Sequence, residues 1–402
     1  MYGVERWIVE RMVRRIGSRR IRVVLWDGSE VGDATSATIA TLGIHSRQAF
    51  QRILLDPEFQ FAECYVRGDV TIAGDLPRFL EEINRLADGR PSLRTTWSHR
   101  LSRYQVAISR RRARQSVHHH YDLGDEFYRL WLGPSMTYTC AYFPEPGASL
   151  DTAQRAKLDH ICRKLALRPG ERVVEAGSGW GSLALHMAEH YGSVVKAYNI
   201  SSEQVSYARA EAQERGLAGR VEFVNEDYRS ISGRFDAFVS VGMLEHVGRS
   251  HYQELGKVIG RCLTDSGRGL IHSIGRHQAM PPNRWMQRRV FPDGYVPSLG
   301  EMLEIFAPNG FAITDLENLR LHYAKTLESW LQNFDRSEQH VRALFDDGFV
   351  RAWRLYLASS LASFRTGWHQ LFQIVFTRAG NNEMPWTRDH VYGKSIDRQV
   401  PR

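Results

Sequence analysis

The fold is decided by residues 172–188, which read RVVEAGSGWGSLALHMA. The run that opens this stretch predicts a buried parallel strand, the three alternating glycines predict a tight turn, and the residues after them follow a helical pattern. Glycine is needed at such a turn because the backbone must bend sharply and let a ligand lie against it. The helix N-terminus offers free N–H groups to a carboxylate or a ribose hydroxyl. The spacing E-x-G-x-G-x-G differs from the G-x-G-x-x-G of dinucleotide folds, and a glycine-rich turn in another α/β domain stays open here.

Strands and helices alternate after this stretch, which predicts a doubly wound α/β sheet. A loop-rich insertion is predicted at residues 277–298, where prolines and a Pro-Asp-Gly turn interrupt the pattern. The predicted strands are residues 172–176, 194–199, 221–225, 235–241, 268–274, 311–319 and 369–378, and the predicted helices are residues 181–190, 202–215, 250–263, 299–306, 326–345 and 349–364.

The first hundred residues predict a smaller α+β unit. Its predicted strands are residues 21–26 and 35–42, its predicted helices are residues 46–55 and 76–86, and residues 59–74 alternate short runs with glycines. Residues 4–16 predict a basic amphipathic helix that carries Trp7. This composition suits a membrane interface, but a helix packed on its own domain has the same pattern, and both interpretations stay open.

Charge is distributed unevenly along the 402 residues. The whole chain carries a net charge of +8, and residues 1–120 hold 20 Arg, no Lys and 13 acidic residues, a surplus of +7. This asymmetry favours an anionic partner, either nucleic acid or an anionic membrane surface, although a solvated Arg-rich face would give the same count.

Cysteine and apolar patterns narrow the class of protein. Cys64, Cys140, Cys162 and Cys262 form no C-x-x-C pair, so neither a disulfide framework nor a zinc site is indicated, and a cytosolic protein is expected. Adjacent side chains at His118, His119 and His120 diverge, so we predict no metal site there. The apolar runs are too short to span a bilayer, and no secretion signal is recognised.

Several motifs together resemble the cyclopropane-fatty-acid synthases and their mycolic-acid cyclopropane synthase relatives. They occur in family order between about residues 118 and 378, and their order and spacing make the resemblance specific. The matching segments are 120–124 (HYDLG), 138–143 (YTCAYF), 175–181 (EAGSGWG), 201–204 (SSEQ), 227–229 (DYR), 241–248 (VGMLEHVG), 272–275 (HSIG), 291–292 with 297–299, and 322–323 with 326–327. The N-terminal unit also resembles the extra domain of full-length bacterial synthases.

The resemblance implies a methyltransferase that uses S-adenosylmethionine (SAM). An isolated cis double bond is a poor nucleophile, so the methyl group must be held in line with it in a dry pocket. Methyl transfer leaves a carbocation on the acyl chain, and a base must remove a proton before the ring closes. In the family this base is thought to be bound bicarbonate, whose contacts carry over to Cys140, Glu245, His272, Ile274 and Tyr323.

These residue types suit an anion site. His272 and Tyr323 can donate hydrogen bonds to an oxyanion, and Glu245 can orient or accept a proton. Cys140 resembles a catalytic nucleophile, but no acyl-enzyme step is required, so we assign it to the pocket wall and an anion contact. The rings of Tyr138, Tyr142 and Tyr323 are expected to stabilise the cation through their π faces.

The resemblance also implies a set of SAM-binding residues. Asn199 is a departure, because the family usually has Thr there and many methyltransferases place an acidic residue on the ribose, so its ribose contact is left open. Asp227 and Tyr228 are expected at the edge and face of the adenine. The predicted set is Tyr138, Thr139, Glu175, Gly177, Gly179, Asn199, Ile200, Gln204, Asp227 and Tyr228.

We therefore predict an α/β protein with a SAM-methyltransferase (Rossmann-like) doubly wound sheet and a smaller N-terminal α+β domain. Residues 1–100 are assigned to lipid or membrane binding, 101–117 to a linker, 118–380 to catalysis and 381–402 to a polar tail. The expected reaction adds a methylene group to unsaturated phospholipid acyl chains at the cytoplasmic face of the membrane. Deleting residues 1–100 is expected to leave a folded catalytic domain. A homodimer is left open.

Three alternatives remain. A relative could make a methyl- or methylene-branched acyl chain from the same alkene, because both reactions share the cation. An RNA methyltransferase would explain the Arg-rich N-terminal third, but no RNA-binding signature is present and the Cys140, Glu245, His272 and Tyr323 set has no role in it. A catalytically inactive lipid-binding protein is disfavoured by the intact glycines and anion site.

Overall fold

The computed structural model describes residue 5 and residues 7–11, 20–32, 38–86 and 123–392. The expectations for the linker at 101–117, for the histidines at 118–120 and for the end of the tail lie outside the described residues. No helix in the described part of the chain is long and apolar enough to cross a membrane.

The strands within the described residues are β1 (Ile21–Val24), β2 (Glu30–Val31), β3 (Ala40–Ile44), β4 (Val70–Gly74), β5 (Arg172–Ala176), β6 (Val194–Tyr198), β7 (Val221–Val224), β8 (Phe235–Val241), β9 (Leu263–Gly275), β10 (Phe311–Asn318) and β11 (Gln370–Arg378). The α-helices are α1 (Arg47–Leu55), α2 (Pro57–Arg67), α3 (Leu76–Leu86), α4 (Asp125–Leu132), α5 (Leu150–Lys164), α6 (Ser182–Tyr191), α7 (Ser202–Glu214), α8 (Leu244–Val247), α9 (Tyr252–Cys262), α10 (Arg284–Arg289), α11 (Leu299–Met302), α12 (Arg320–Arg336), α13 (Glu338–Leu344), α14 (Asp347–Thr366) and α15 (Asp389–Tyr392).

The chain divides into two compact units. Unit 1 gathers residues 1–103, 281–292 and 324–369, and unit 2 gathers residues 104–280, 293–323 and 370–402. Each predicted domain was one continuous stretch of sequence, whereas unit 1 also includes two segments from the C-terminal half of the chain.

Unit 2 contains a seven-stranded sheet in the order β10-β11-β9-β8-β5-β6-β7. Strands β9, β8, β5, β6 and β7 pair in parallel, and β11 and then β10 extend the β9 side in antiparallel fashion. The predicted doubly wound α/β sheet is therefore confirmed. The chain runs from β5 outward to β7 and then returns to β8 on the other side of β5. Ligands of such sheets bind at the carboxyl ends of the strands where the order switches.

Apolar side chains on both faces hold this sheet. One buried cluster places Leu183 of α6 against Val195 and Val239, and the other places Leu255 of α9 against Phe238. Burial on both faces explains why the central strands β5 and β8 are buried along most of their length, whereas β7 alternates buried and exposed residues.

Unit 1 contains a four-stranded sheet in the order β2-β1-β3-β4, in which β1 and β3 are parallel and the other pairs antiparallel. Helices α2 and α3 both pack on α14. Arg365 of α14 donates to Glu81 of α3 over 3.1 Å. The buried Glu63 of α2 accepts two hydrogen bonds from Arg289 of α10, at 2.9 and 2.8 Å. Segments distant in sequence are thus joined by paired charges as well as by apolar packing.

Two expectations for the N-terminal region change. Residues 59–74 were expected as short runs between glycines, but they hold most of α2 and all of β4. Pro57 at the helix start and Gly68, with φ 81°, at its end are ordinary boundary signals that this interpretation overlooked. In the predicted helix at 4–16, Val9 is buried in the core of unit 1 and Trp7 is 55% exposed, with Arg11 5.1 Å from its ring. These described residues favour packing on its own domain.

The grouping changes the expectation for a truncated protein. Deleting residues 1–100 removes α2 and α3 and exposes the apolar face of α14, where each large side chain uncovered costs about 1.5–3 kcal/mol. We expect the shortened protein to aggregate or to melt several degrees lower in circular dichroism. Co-expression of residues 1–103 should restore solubility. A monodisperse truncated protein with an unchanged melting temperature would contradict this.

Candidate active site

The predicted site residues collect at the carboxyl ends of the central strands of unit 2. The glycine loop follows β5, and Asn199 follows β6. Glu245 lies in α8, shortly after β8, and His272 and Ile274 lie near the carboxyl end of β9. The sheet topology therefore places segments from distant parts of the sequence at one edge.

Two backbone hydrogen bonds to the last residue of β6 hold the glycine loop. The N–H groups of Gly177 and Ser178 donate to the Tyr198 carbonyl over 2.9 and 3.2 Å. Gly177 has φ 85°, and a Cβ there would lie 2.9 Å from Met243. Gly179 also has positive φ, 53°, but its Cβ would meet nothing within 4 Å. The loop thus needs glycine at one position for packing and leaves open space at the other.

Asn199 supports the loop. Its Nδ2 donates to the Gly179 carbonyl over 3.1 Å and to Gln204 Oε1 over 2.8 Å, and its Oδ1 accepts from the Ser201 N–H over 3.2 Å. Both Nδ2 protons and one lone pair of Oδ1 are therefore used within the protein. A ribose hydroxyl could reach this side chain as a donor to the second lone pair of Oδ1.

The loop region suits a polar ligand such as SAM. Glu175 Oε2, Ser178 Oγ and Gln204 Nε2 are buried without a hydrogen-bond partner among the described residues. Unpaired buried polar atoms are costly, so they mark positions where a ligand or water completes the bonding. Together they supply a carboxyl group, a hydroxyl and an amide donor in and next to the glycine loop. Such groups match the amino-acid and ribose portions of SAM.

A buried lysine that the sequence reasoning missed lies beside this region. Lys157 of α5 donates from Nζ to Thr139 Oγ1 over 2.9 Å and is 2% exposed. Burial lowers its pKa to about 8, although the charges of Cys140 and Glu175 oppose that effect. Burial likewise raises the pKa of Glu175 to about 8, against the opposing charge of Lys157. Lys157 thus interacts with Thr139 and Glu175 of the predicted SAM-binding set and with Cys140 of the predicted anion site.

The helix that carries Lys157 also holds the segment 137–139. Gln154 donates from Nε2 to the carbonyls of Thr137 and Thr139 over 3.3 and 2.9 Å. Ser149 caps α5 by accepting from the Thr152 N–H. This N-cap serine was the sequence signal for a helix that we did not predict.

At the predicted adenine position, Asp227 pairs with Arg229. The guanidinium donates from Nε to Oδ1 over 2.7 Å and from the terminal nitrogen to Oδ2 over 2.8 Å. The Arg229 side chain also lies 5.5 Å from the Tyr228 ring. Asp227 is thereby fixed in place, while Ile200 lies half-buried just past β6. Their contacts with SAM stay predictions.

Glu245 and Ile274 meet directly in the predicted anion site. Glu245 Oε1 accepts from the Ile274 N–H over 2.7 Å, so this N–H orients the carboxyl group. Glu245 Oε2 is buried without a partner among the described residues. Burial raises the pKa of Glu245 to about 7, and the bond from Ile274 opposes that rise. A carboxyl group in this state can gain or lose a proton near neutral pH.

His272 lies fully buried on β9. Its Nδ1 is 3.1 Å from Nε2 of Gln373 on β11, and its own Nε2 is buried without a partner in the described part of the chain. Burial, together with the nearby charges of Lys157 and Lys164, holds the pKa of His272 well below its usual range. The imidazole is therefore neutral. Gln373 is a second residue that the sequence reasoning missed.

Cys140 and Tyr323 form another part of the predicted set. The buried Cys140 thiol donates to the Ala141 carbonyl over 3.1 Å and lies 4.0 Å from the Leu319 carbonyl. The Tyr323 N–H donates to that same Leu319 carbonyl over 3.2 Å. Lys157 acts electrostatically on both Cys140 and His272 and so lies near both parts of the site.

The expected role of one aromatic ring does not fit its surroundings. Tyr142 is stacked between His160 and His322, with ring centroids 4.2 and 4.7 Å apart and interplanar angles of 15°. Both of its faces are covered, so Tyr142 cannot present a π face to a cation. Tyr138 lies in a cluster with Tyr128 and Trp131.

The doubly wound sheet, the glycine loop and the polar groups around it define a SAM-dependent methyltransferase. The family described as mycolic acid cyclopropane synthetase matches residues 108–374, and a domain of unknown function (DUF7884) matches residues 8–90. The chain therefore belongs to the mycolic acid cyclopropane synthetase family, as the sequence motifs predicted.

Individual relatives agree with this assignment. A "probable fatty acid methyltransferase" of Pseudomonas putida is 33% identical over 92% of this chain and 96% of its own length. The cyclopropane-fatty-acyl-phospholipid synthase of Escherichia coli K12 is 36% identical over 85% of this chain and 89% of its own. The solved mycolic acid cyclopropane synthase CmaA1, in complex with SAH and CTAB, is 28% identical with a TM-score of 0.63, over 65% of this chain and 97% of that one.

The open space at Gly179 generates a test of the cofactor site. Gly179→Val should abolish SAM binding in calorimetry, because a branched side chain would fill the space where the backbone meets the ligand. Gly216→Val is the matched control, since Gly216 also has positive φ, 67°, with nothing within 4 Å of its Cβ. Both variants should lose similar stability. Normal SAM binding by the Gly179 variant would move the cofactor elsewhere.

The buried carboxyl group of Glu245 predicts a pH-dependent stability. Its pKa is raised to about 7 in the folded protein from 4.5, so ionisation opposes folding. This cost appears as pH rises from about 4.5 to 7 and is fully present above 7. Glu245→Gln should therefore stabilise the protein by about 2–3 kcal/mol at pH 8 and by little at pH 4.5, as measured by denaturant unfolding.

Two comparisons accompany the Glu245→Gln measurement. The exposed Glu145→Gln variant should show no such pH dependence. SAM affinity of Glu245→Gln should be unchanged while turnover is mostly lost, because the residue lies in the predicted anion site and not in the glycine loop. Equal stability of Glu245→Gln and the parent protein at pH 8 would show that the carboxyl group is not desolvated.

Proposed function

We propose that this enzyme transfers a methylene group from SAM to the cis double bond of unsaturated phospholipid acyl chains, making cyclopropane fatty acids. The observation that carries the proposal is the pair of buried polar atoms His272 Nε2 and Glu245 Oε2, neither of which has a partner among the described residues. The neutral His272 ring can donate from Nε2, and Glu245 Oε2 accepts when it is ionised and donates when it is protonated. A reaction that passes through a carbocation needs a base in such surroundings.

Bicarbonate fits this site as the base. A neutral His272 can donate to an oxyanion, the Tyr323 hydroxyl is a further donor of the proposed contact set, and the Cys140 thiol could donate only by leaving the Ala141 carbonyl. Lys157 is a buried cation near Cys140 and His272 and offsets the negative charge of the anion. Bound there, bicarbonate would supply the basic oxygen that receives the proton.

The residues of the chain prepare the reaction in three ways. Asn199 and the β6 backbone fix the glycine loop, so the methyl group that SAM supplies has a defined position. Glu245, oriented by the Ile274 N–H, has a pKa of about 7 and can hold a proton on Oε2 at neutral pH. Buried aromatic rings around Tyr138 exclude water, which would otherwise capture the cation.

A second product is supported by one specific observation. The relative from Pseudomonas putida is named a probable fatty acid methyltransferase and matches over more of this chain than the cyclopropane synthase of Escherichia coli. A methylene-branched acyl chain arises from the same cation when a 1,2-hydride shift first moves the charge to the methyl-bearing carbon and the methyl group then loses a proton to form C=CH₂. The residues that hold the base therefore influence the product, because they determine whether the methyl proton is removed before or after that shift.

An anionic membrane surface is the proposed partner. The Arg surplus of residues 1–120 would favour residence there, since each basic residue near the surface contributes about 1 kcal/mol within a Debye length of roughly 8 Å. The proposed location is the cytoplasmic face of the membrane. RNA stays a weaker candidate partner, because the anion site has no role in its methylation.

The proposal is tested with purified protein, SAM and vesicles of a cis-monounsaturated phospholipid. Gas chromatography–mass spectrometry of the acyl methyl esters should show an added CH₂ that resists mild hydrogenation, as a cyclopropane does and the alkene of a methylene-branched chain does not. Turnover should be higher on anionic than on zwitterionic vesicles and fall with salt. A hydrogenation-sensitive product would identify the branched-chain alternative, and methylation of RNA instead of lipid would overturn the proposal.

A further inference from the structure

We propose that Gln373 is a positioning residue that fixes the neutral His272 ring as its Nε2–H tautomer, so that this N–H points at the anion. The inference rests on the proposed function, because it concerns how the proposed bicarbonate site obtains a donor. Gln373 itself is not expected to touch SAM, the acyl chain or bicarbonate.

The sheet places the two residues face to face. Strands β9 and β11 are antiparallel, and Gln373 lies directly opposite His272 in the register. Side chains of directly opposed residues lie on one face of the sheet and interact. Gln373 Nε2 is 3.1 Å from His272 Nδ1, and the two residues are 0% and 1% exposed. The contact is therefore sheltered from water and fixed by the backbone ladder.

The direction of this bond determines where the proton of the imidazole lies. An amide nitrogen can only donate, so Nδ1 must accept with its lone pair. A neutral imidazole then carries its proton on Nε2. Burial and the charges of Lys157 and Lys164 keep the ring neutral. Nε2–H is thus a buried donor without a partner among the described residues, beside a proposed anion site.

The tautomer matters because the site is short of donors. Glu245 already takes the Ile274 N–H, so that backbone group is not available to the anion. If the proton of His272 were on Nδ1, the lone pair of Nε2 would face the anion and repel it. The amide of Gln373 therefore decides whether His272 attracts or repels the proposed base. The reverse orientation of the amide, with Oε1 accepting from Nδ1–H, is the competing arrangement.

Nitrogen-15 NMR of the full-length protein, without SAM or bicarbonate, reads the tautomer directly. Labelled histidine shows which ring nitrogen carries the proton, and the His272 signals are assigned from their loss in His272→Asn. We expect protonated Nε2 in the parent protein. Gln373→Met removes the donor to Nδ1 and should give a tautomer mixture, and Gln373→Glu should move the proton to Nδ1 because a carboxylate only accepts.

The second readout is the bicarbonate concentration that gives half-maximal turnover. It should rise about tenfold or more in Gln373→Met, as expected for loss of a hydrogen bond to a charged group, while the SAM dissociation constant stays unchanged. Gln370→Met is the matched control. Gln370 is also buried on β11 and its Nε2 lies 3.0 Å from another histidine, His277. Its substitution should leave both the His272 tautomer and the bicarbonate dependence unchanged.

The outcomes separate the two proposals. A parent protein with the proton on Nδ1, or a Gln373→Met variant with the parent tautomer and parent bicarbonate dependence, overturns the role of Gln373 and leaves the proposed reaction standing. A Gln373-dependent tautomer in an enzyme whose turnover ignores bicarbonate supports the role of Gln373 and overturns bicarbonate as the base. Gln373→Met, which adds no charge, guards against misfolding of the glutamate variant.

Discussion

Removal of water from the carboxyl ends of β5, β8 and β9 is the constraint on which this enzyme depends. Burial there favours the uncharged form of every titratable group, so the pKa of a carboxyl group rises and that of an imidazole or ammonium group falls. The pKa values of Glu175 and Glu245 are raised, and those of Lys157 and His272 are lowered. The structure compensates with hydrogen bonds that come mainly from the backbone and from neighbouring amides. These same groups are then fixed in orientation, as the proposed reaction through a short-lived cation requires.

Much of the fold could be predicted from the sequence because its signals are local. The glycine pattern after β5, the apolar parallel strands and the prolines of the insertion each report on a few adjacent residues. Helix α5 was missed because polar residues such as Gln154 and Lys157 interrupt its buried face beside Leu158 and Ile161. A pattern of hydrophobicity identifies poorly a helix whose buried face is partly polar.

The sequence predicted less of the candidate site than of the fold. The resemblance supplied the candidate residues, and the structure brings Glu245 to Ile274 and Cys140 to the start of α12. The partner of His272 could not be found in this way, because Gln373 lies about a hundred positions further along the chain and opposes it only through the β9–β11 register. Cross-strand neighbours are set by topology, and no spacing in one sequence reveals them. Tyr142 was assigned a role that its surroundings do not support. The spacing of residues in the sequence does not show that His160 and His322 stack on its ring.

The order β10-β11-β9 has a consequence for the folding of the protein during its synthesis on the ribosome. β11 is the last strand of the sheet to be synthesised, yet it lies between two strands made earlier. Until it emerges, β9 has an open edge and β10 lacks the neighbour with which it pairs in the described structure, and exposed edges of this kind promote aggregation. His272 likewise stays without Gln373 until that moment. The nascent chain therefore completes its fold and its chemistry in a single late step, and a truncated translation product would have neither.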